Sequence, residues 1–543
     1  MKAHCLPFSQ IPHTTGLFTD FLAYAPAVQP FYPRPPHFAE WFEREAEAID
    51  YNAARRGLVS AILERQNKSF GSRAETLANI ARLRAGAYAL VTGQQVGLFG
   101  GPAFALYKAL TAVKLAEEAT TAGVDCVPVF WLATSDHDLA EVNHVSIPGH
   151  DGLLRVLSTS SHGVSNAPVS EVLLGDEILP ALEEAAALLG DSQATDLLRE
   201  AYRPGQNLGS AFARLYAQLF AEWGVILLDA SDPELHRVAE PLYRRAIEDA
   251  DVLDAALLKR GEALDHAGCF QQVKVTPSSV LLFSMREGAR TAIHHRAGEA
   301  GKKEFAIGPE PGAQTLTEAE LLARVAAHPE QFSPNVLLRP VVQDYLLPTL
   351  AYTGGAAEAA YFAQAGVVYE TLLGRVTPIV PRFSATIVEP KTQRWLRQYD
   401  FAVSDVFHGF EALRQNLAAR ALPADLQTAF DRTGKSIGEC FSTIQEALAK
   451  LDPTLVDACR TAASKAQYQL ERLRERATAA ELRRSEIVVR HAEALSHALY
   501  PDDALQERGI AGIYFIARHG MELLPQLYEN LSTDCHNHQI LEL

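Results

Sequence analysis

A chain of 543 residues with 48% hydrophobic and 21% charged side chains is too long for one compact core, and balanced enough to fold throughout, so two to four domains are expected. Its formal net charge of −17, from 66 acidic and 49 basic residues, sets it against phosphate backbones and anionic lipid surfaces and favours small substrates over nucleic acid. No apolar run of about 18 residues is present to span a bilayer. Residues 1–15 lack the apolar stretch of a secretory signal, and Cys5, Cys126, Cys269, Cys440, Cys459 and Cys535 are scattered without a C-x-x-C pair. Reduced thiols in a cytoplasmic protein are therefore expected.

Residues 1–36, rich in proline and aromatics such as Phe18, Phe21, Tyr24, Phe31 and Tyr32, read as an extended arm packed on the body. Spacings of three and four predict helix from Phe38 to Arg84. Tyr88–Thr92 is a short apolar strand, Gly93–Gly101 a loop with four glycines, and Pro102 opens a helix from about Ala103 to Thr121. A second strand, Val127–Thr134, completes a βαβ unit whose strands should be parallel. An acidic helical stretch follows from Glu171 to Glu200, then a helix at Phe212–Trp223 and a buried strand at Gly224–Asp229. Alternation from Cys269 to Phe283 suggests an antiparallel hairpin or meander, and Ala292 to Gly312 reads as a continuing meander or an exposed loop, so mixed structure is inserted within the α/β core.

Farther on, helices are expected at Val341–Ala351 and Ala356–Ala365, and a late core strand at Val376–Arg382. After Glu389 the pattern is long and helical. Phe430, Ile437, Phe441, Ile444, Leu448 and Leu451 form one apolar seam; Leu455, Cys459, Ala462, Ala466, Leu470, Leu473 and Ala477 form another. Pro453 between them marks the turn of an antiparallel helical hairpin, and a third helix runs from about Ala479 to Tyr500. Such a seam can be filled within the chain or by a second copy, and a homodimer is the expected use.

Four groups of residues can carry chemistry. In Thr92–Gly101, the glycines Gly93, Gly97, Gly100 and Gly101 let backbone approach a ligand, and the helix start beyond favours an anion. No Gly-Lys-Ser/Thr follows and G-x-G-x-x-G is absent, so neither standard nucleotide loop is present. Gln94 and Gln95, adjacent amides at a strand end, can orient a carboxylate or hydroxyls; the bland alternative is a tight strand-to-helix turn. Asp136, His137 and Asp138, followed by Glu141, Asn143 and His144, lie after the second strand, where open α/β sheets bind ligands. A histidine beside carboxylates serves as acid, base or metal ligand, or Asp136 simply caps a helix; the spacing matches no standard zinc site, and no metal site is predicted. Asn335, Arg339, Gln343, Asp344 and the stretch from Gly354-Gly355 to Glu358 form the third group, with Arg339 able to clamp a carboxylate or phosphate or to pair with Asp344; Arg382 at a strand end has similar standing. Cys535-His-Asn-His538 could be read as metal ligands but is a terminal cluster of a kind that is often incidental. Cys126 and Cys269 lie in apolar strand contexts and are expected to be inert.

Several long motifs coincide. Val91-Thr-Gly-Gln-Gln-Val-Gly-Leu-Phe-Gly-Gly-Pro102, Tyr107-Lys108, Ser135-Asp-His-Asp-Leu-Ala-Glu-Val-Asn-His144, Ser333-Pro-Asn-Val-Leu-Leu-Arg-Pro340, Leu347–Leu350 with Gly354-Gly355, Pro378–Phe383 and the tail from Asp534 to Leu543 together resemble the bacillithiol biosynthesis protein BshC family over nearly the whole chain. The resemblance implies a Rossmann-like parallel-sheet α/β core similar to class I aminoacyl-tRNA synthetases, an inserted connecting domain, and a C-terminal antiparallel coiled coil used for dimerisation. On that basis 1–150 and 331–388 are the two parts of the core, 151–330 the insertion with returning core elements, 389–505 the coiled coil, and 506–543 a segment packing back on the core. The implied activity joins cysteine to the amine of glucosaminyl-malate, the last step of bacillithiol synthesis.

Amide formation from a free carboxylate needs activation, and the implied fold points to ATP, with magnesium accompanying the nucleotide and cysteinyl-adenylate formed first. In that scheme Asp136, His137 or Asp138 takes the amine proton, and Thr92, Gly93, Gln94, Gln95, Asn143, His144, Asn335, Arg339, Gln343 and Arg382 hold the substrates, Arg339 binding the malate. Gly97, Gly100 and Gly101 hold nucleotide, with a second ATP or ADP pocket implied around Gln506 and Arg508. Neither HIGH nor KMSKS occurs, so acyl-phosphate activation, or a cysteine activated elsewhere, stays open. A nucleotide-binding scaffold that assists another ligase, and a metal-dependent hydrolase, are the alternative readings.

Overall fold

The computed structural model describes every residue except 161–166, 287, 299–302, 310–311, 421 and 485. It divides into two compact units, one of Met1–Gly149, Leu154–Thr386 and Glu507–Leu541, the other of His150–Leu153, Ile387–Gln506 and Glu542–Leu543.

The first unit is built on a five-stranded sheet in the order Ile379–Pro381, Thr349–Gly354, Tyr88–Gln94, Cys126–Leu132, Ile226–Asp229. Every neighbouring pair is parallel. In chain order this is the doubly wound 3-2-1-4-5 arrangement of a Rossmann-like core, and its order reverses between Tyr88–Gln94 and Thr349–Gly354. Cys126–Leu132 is buried along its whole length, which is why it reads as an unbroken apolar run. The helix Phe104–Thr121 crosses between the first two strands and is buried on most of its faces. Helices Phe42–Glu47, Ala53–Phe70 and Ala74–Ala85 fill the helical segment expected before the sheet.

Two expected elements are corrected. The helix assigned to Val341–Ala351 is Arg339–Leu346, and Thr349–Gly354 is the strand at the reversal point. Pro348 disfavours helix at the residue before it, and Leu347 is extended, at φ −130° and ψ 144°. The meander begins at Ser279, not at Cys269. Ahead of it, both the N–H and the C=O of Val273 are bound by the side-chain amide of Gln364 at 2.8 Å, so that segment is held by an amide and not by a strand partner. From Ser279 the chain forms an antiparallel sheet ordered Gln314–Thr317, Lys303–Ile307, Ala289–Ala297, Ser279–Arg286, Phe332–Pro334. Within the expected 292–312 meander, 299–302 and 310–311 lie outside the described residues.

The N-terminal arm is more regular than its proline content suggests: Lys2–Leu6 is a strand, and Gly16–Leu22 a helix that buries Phe18 and Phe21. Cys5 and Cys535 form a disulfide, with Cα atoms 6.5 Å apart, which corrects the expectation that all six cysteines are reduced. The two lie 530 residues apart in sequence, so no spacing rule could pair them. Cys126, Cys269, Cys440 and Cys459 are free. Among the described residues no helix is long and apolar enough to cross a membrane.

The second unit is helical. Ala424–Leu451 and Leu455–Arg484 form the antiparallel hairpin, and its turn is fixed by Asp452, whose Oδ1 accepts from the N–H and Oγ1 of Thr454 at 2.9 and 2.8 Å. The third helix is Glu486–Leu499; residues 479–484 belong to the second arm. Phe430 and Cys459 of the seam are buried, whereas Ile444, Leu451, Leu455 and Leu473 are exposed.

Candidate functional site

The carboxyl ends of the parallel strands open into a cleft of about 670 Å³ in the first unit. Gly93 and Gln94 come from the first strand, Trp131 and the residues after it from the second, Tyr352 from the strand beyond the reversal, and Arg382 from just past the edge strand. The antiparallel insertion supplies the opposite wall with Phe283 and Arg290.

One end of the cleft is cationic. Lys108 is buried, and its Nζ donates to Gly93 O and Gln94 Oε1, each at 2.8 Å, and to Glu358 Oε1. Its partial burial would raise the Glu358 carboxyl, but Lys108 and Arg382 outweigh it and bring it down to about 2, so this glutamate is ionised. Its second oxygen accepts from Gly355 N–H at 3.1 Å at the start of helix Ala356–Leu373. Arg382 donates to Glu507 Oε1 at 2.7 Å and to Phe383 O at 2.6 Å. Arg339 donates to Tyr361 Oη at 2.9 Å and Gln343 Oε1 at 3.2 Å, and its guanidinium lies over the rings of Tyr352, Trp131 and Tyr361. A guanidinium carries five N–H donors, so Arg339 keeps donors for a ligand. Arg508 is exposed at the cleft, near the ring of Phe104.

The other end holds Asp136 and His137. Gln95 Nε2 donates to Asp136 Oδ2 at 2.9 Å and to Glu141 Oε2 at 2.8 Å. Arg290 reaches Asp136 Oδ1 at 3.2 Å and His137 Nδ1 at 3.3 Å, and the His137 N–H donates to Asp136 Oδ1 at 2.8 Å. Asp136 is thus an anchor held by three neighbours, while His137 presents its ring to the cleft.

Of the residues singled out in the sequence, Gly93, Gln94, Gln95, Asp136, His137, Asn335, Arg339, Arg382 and Arg508 line this one cleft. Others are placed elsewhere for visible reasons. Thr92 is buried, its hydroxyl donating to Thr353 O at 2.9 Å and tying two strands together. Gly97, Gly100 and Gly101 turn inward behind the buried ring of Phe99. Tyr202 Oη accepts from Gly100 N–H at 3.0 Å and donates to Gly97 O, and Tyr216 Oη donates to Gly100 O, so the loop amides are spent inside the protein. Glycine at Gly97 allows this close approach, since a Cβ there would meet Gly101 Cα at 3.0 Å and push the backbone aside. Asp138 caps the short helix Leu139–Val142, and His144 Nδ1 lies 3.0 Å from Ala140 O. Asn143, which follows that helix, is outside the cleft lining. Gln343 is buried, donating to Asp344 Oδ1, and Asp344 accepts from Tyr369 Oη at 2.5 Å, so Asp344 is not the partner of Arg339. In the helical unit, Gln506 is bound to both the N–H and the C=O of Ile387, at 2.7 and 2.8 Å, and to Ala498 O, leaving its amide nothing for a nucleotide. Cys535 is in the disulfide and Asn537 Oδ1 accepts from Phe8 N–H. Among the described residues no three His, Cys, Asp or Glu side chains form a group able to hold a metal ion.

Sequence reading missed Arg290, and gave Lys108 no role of its own. Lys108 lies five residues into an apolar helix, and an isolated charge on a buried helix face is the signal that was available. Arg290 comes from an insertion strand 154 residues away from Asp136, with no local signal at all.

Support for this end of the site reaches His538. Ser384 Oγ donates to Glu507 Oε1 at 3.0 Å and lies 2.7 Å from His538 Nδ1, and Thr386 Oγ1 lies 2.8 Å from Nε2. Burial pulls His538 down to about 4, from an ordinary 6.5. The folded state resists a proton that the unfolded chain accepts, so this stability is complete above pH 6.5 and drains away as pH falls toward 4, by about 3 kcal/mol. Urea midpoints at pH 7.5 and pH 5 check it: His538→Gln should flatten the acid fall.

Family models divide the chain near residue 384, so that Glu507–Leu541, part of the first compact unit, falls within the second match. A family model described as "Bacillithiol biosynthesis BshC, N-terminal Rossmann-like domain" matches residues 1–383, and one described as "Bacillithiol biosynthesis BshC, C-terminal coiled-coil domain" matches 385–543. The chain belongs to the BshC family. A relative named "Putative cysteine ligase BshC" from Koribacter versatilis (strain Ellin345) is 46% identical over 543 residues, covering 100% of both chains. Relatives of the same name from Solibacter usitatus (strain Ellin6076) and Salinibacter ruber (strain DSM 13855 / M31) are 37% and 32% identical; the first covers 100% of both chains, the second 99% of this chain and 98% of its own. The BshC match thus takes in both the parallel-sheet core with its cleft and the helical hairpin.

Proposed function

We propose that this chain is a ligase that joins the carboxyl of cysteine to the amine of glucosaminyl-malate, completing bacillithiol. The observation that carries the reading is one cleft with a cationic end and an Asp136–His137–Arg290 cluster, at the reversal point of a parallel sheet. The cationic end suits the malate carboxylates, with Arg339 and Arg508 offering uncommitted donors. At the other end Asp136 accepts from Gln95, Arg290 and the His137 backbone, and so orients His137 without itself collecting a proton. In the tautomer whose Nδ1–H faces Asp136 Oδ1 at 3.3 Å, His137 Nε2 is unprotonated and has no partner among the described residues, and it is the group that takes the amine proton as the amide forms.

A nucleoside triphosphate, when bound, supplies the activation that a free carboxylate lacks. For its phosphates the cleft offers Arg339, Arg382 and Arg508, and neither Lys108, whose three donors are taken, nor the Gly97–Gly101 loop, whose amides are engaged. The test is mass spectrometry of the protein incubated with ATP, cysteine and glucosaminyl-malate, each omitted in turn. Product only with all three, with AMP or ADP released, supports the reading; no product in any combination overturns it for the isolated chain.

The helical hairpin is read as a homodimer interface, because Ile444, Leu451 and Leu473 stay exposed on it. Light scattering on the full chain should give twice the chain mass, and Leu451→Asp with Leu473→Asp should give the monomer.

A further inference from the structure

A second cavity, of about 410 Å³, adjoins the cleft and is lined by Ser135, Ser170, Glu171, His236, Glu330 and Ser333, among others. Ser135 lines both spaces. Arg290 stands at the partition: its Nε donates to Ser333 Oγ at 2.9 Å and an NH2 to Pro334 O at 2.6 Å, while the other arm reaches Asp136 and His137. The wall is fixed to the catalytic strand end, because Val169 N–H donates to Asp136 O at 2.8 Å and Ser170 N–H to Thr134 O at 3.0 Å.

The chemistry of this lining is opposite to that of the cationic end. Among the described residues that line it there is no lysine or arginine, and it carries two carboxylates and several hydroxyls. The hydroxyls of Ser135 and Ser170 and the Glu171 carboxylate have no polar partner among the described residues. His236 is steadied from behind by Tyr243, 3.0 Å from its Nδ1. Hydroxyl and carboxylate groups without competing cations suit a polyhydroxylated ring bearing an amine, and are wrong for a phosphate or a dicarboxylate.

We propose that this cavity is the subsite for the hexosamine ring of the acceptor, with the ring's amine directed past Ser135 toward His137. The inference rests on the ligase reading and adds to it a division of labour: anionic substituent among Arg339, Arg382 and Arg508, sugar hydroxyls in the second cavity, amine at the junction. It also assigns Arg290 a positioning role, since one guanidinium holds both the partition and the Asp136–His137 pair.

Methyl α-D-glucosaminide, which has the ring and amine but no malate, is the probe, titrated into the full chain by calorimetry or saturation-transfer NMR. Wild type should bind it; Ser170→Leu, which fills the cavity, and the milder Glu330→Gln should each weaken binding by about tenfold, the effect of one lost polar contact of this kind. Arg508→Ala, at the cationic end, should bind the sugar as wild type does. Circular dichroism confirms that each variant is folded. No binding by wild type, or binding that survives both Ser170→Leu and Glu330→Gln, overturns the subsite. Because the probe needs no turnover, a chain that binds it here yet makes no product loses the ligase reading and keeps the sugar site.

Discussion

Replacing Lys108 by methionine is expected to cost about 3–5 kcal/mol of folding stability, the usual result of removing one partner from a buried ion pair. The reason is what it leaves behind. Glu358, partly buried, is held ionised by the buried Lys108 and by Arg382, and Gly93 O and Gln94 Oε1 would also lose their donor. The double variant Lys108→Met with Glu358→Leu should recover most of the loss, because the orphaned charge is gone and an apolar pair of similar volume fills the space. A residual deficit is expected from the Gly355 N–H that Glu358 caps. The sign with pH follows from the depressed carboxyl: its stabilisation is present above its ordinary value of 4.5 and is lost as pH falls toward about 2. Chemical denaturation of the two variants beside wild type measures all of this; a single variant as stable as wild type would mean the pair is screened by solvent, not buried.

His137→Ala should lower kcat by about 10²–10⁴-fold, the contribution of a positioned general base, with KM for cysteine little changed. Folding should survive, since the ring is more than a third exposed, at 37% of its side-chain surface, and packs only loosely on Phe283 at 6.3 Å. Asp136→Asn should also slow the reaction, because an amide cannot accept from Gln95, Arg290 and the His137 backbone and still orient the ring. Steady-state rates with cysteine and acceptor varied separately make the distinction. A His137→Ala variant with unchanged kcat removes this residue from proton transfer.

Much of the core was legible from the chain alone. Tyr88–Gln94 and Cys126–Leu132 are apolar runs bounded by glycine and separated by one helix, and parallel pairing follows from that spacing. The hairpin turn at Pro453 was legible for a similar reason: two helical seams meet at a residue that cannot continue a helix. The Asp136–His137 pair was found because it follows a strand end, where such sheets bind ligands. Local rules failed where distant segments decide. Thr349–Ala351 read as the end of a helix because a short apolar run fits either period, and only the place of Thr349–Gly354 between Tyr88–Gln94 and Ile379–Pro381 makes it a strand.

By itself, then, the sequence determined the element types with strong periodicity, the charge balance, the family, and the loop that carries Asp136 and His137. Only the tertiary structure decided which polar groups remain available. The Gly97–Gly101 amides are consumed by Tyr202 and Tyr216, Gln506 is consumed by Ile387, and Cys5 is joined to Cys535, while Lys108 and Arg290 enter the site. A residue's spacing says what it could bond; burial and the partners brought from hundreds of residues away decide what it does bond, because every buried donor and acceptor must be satisfied before any is left for a ligand.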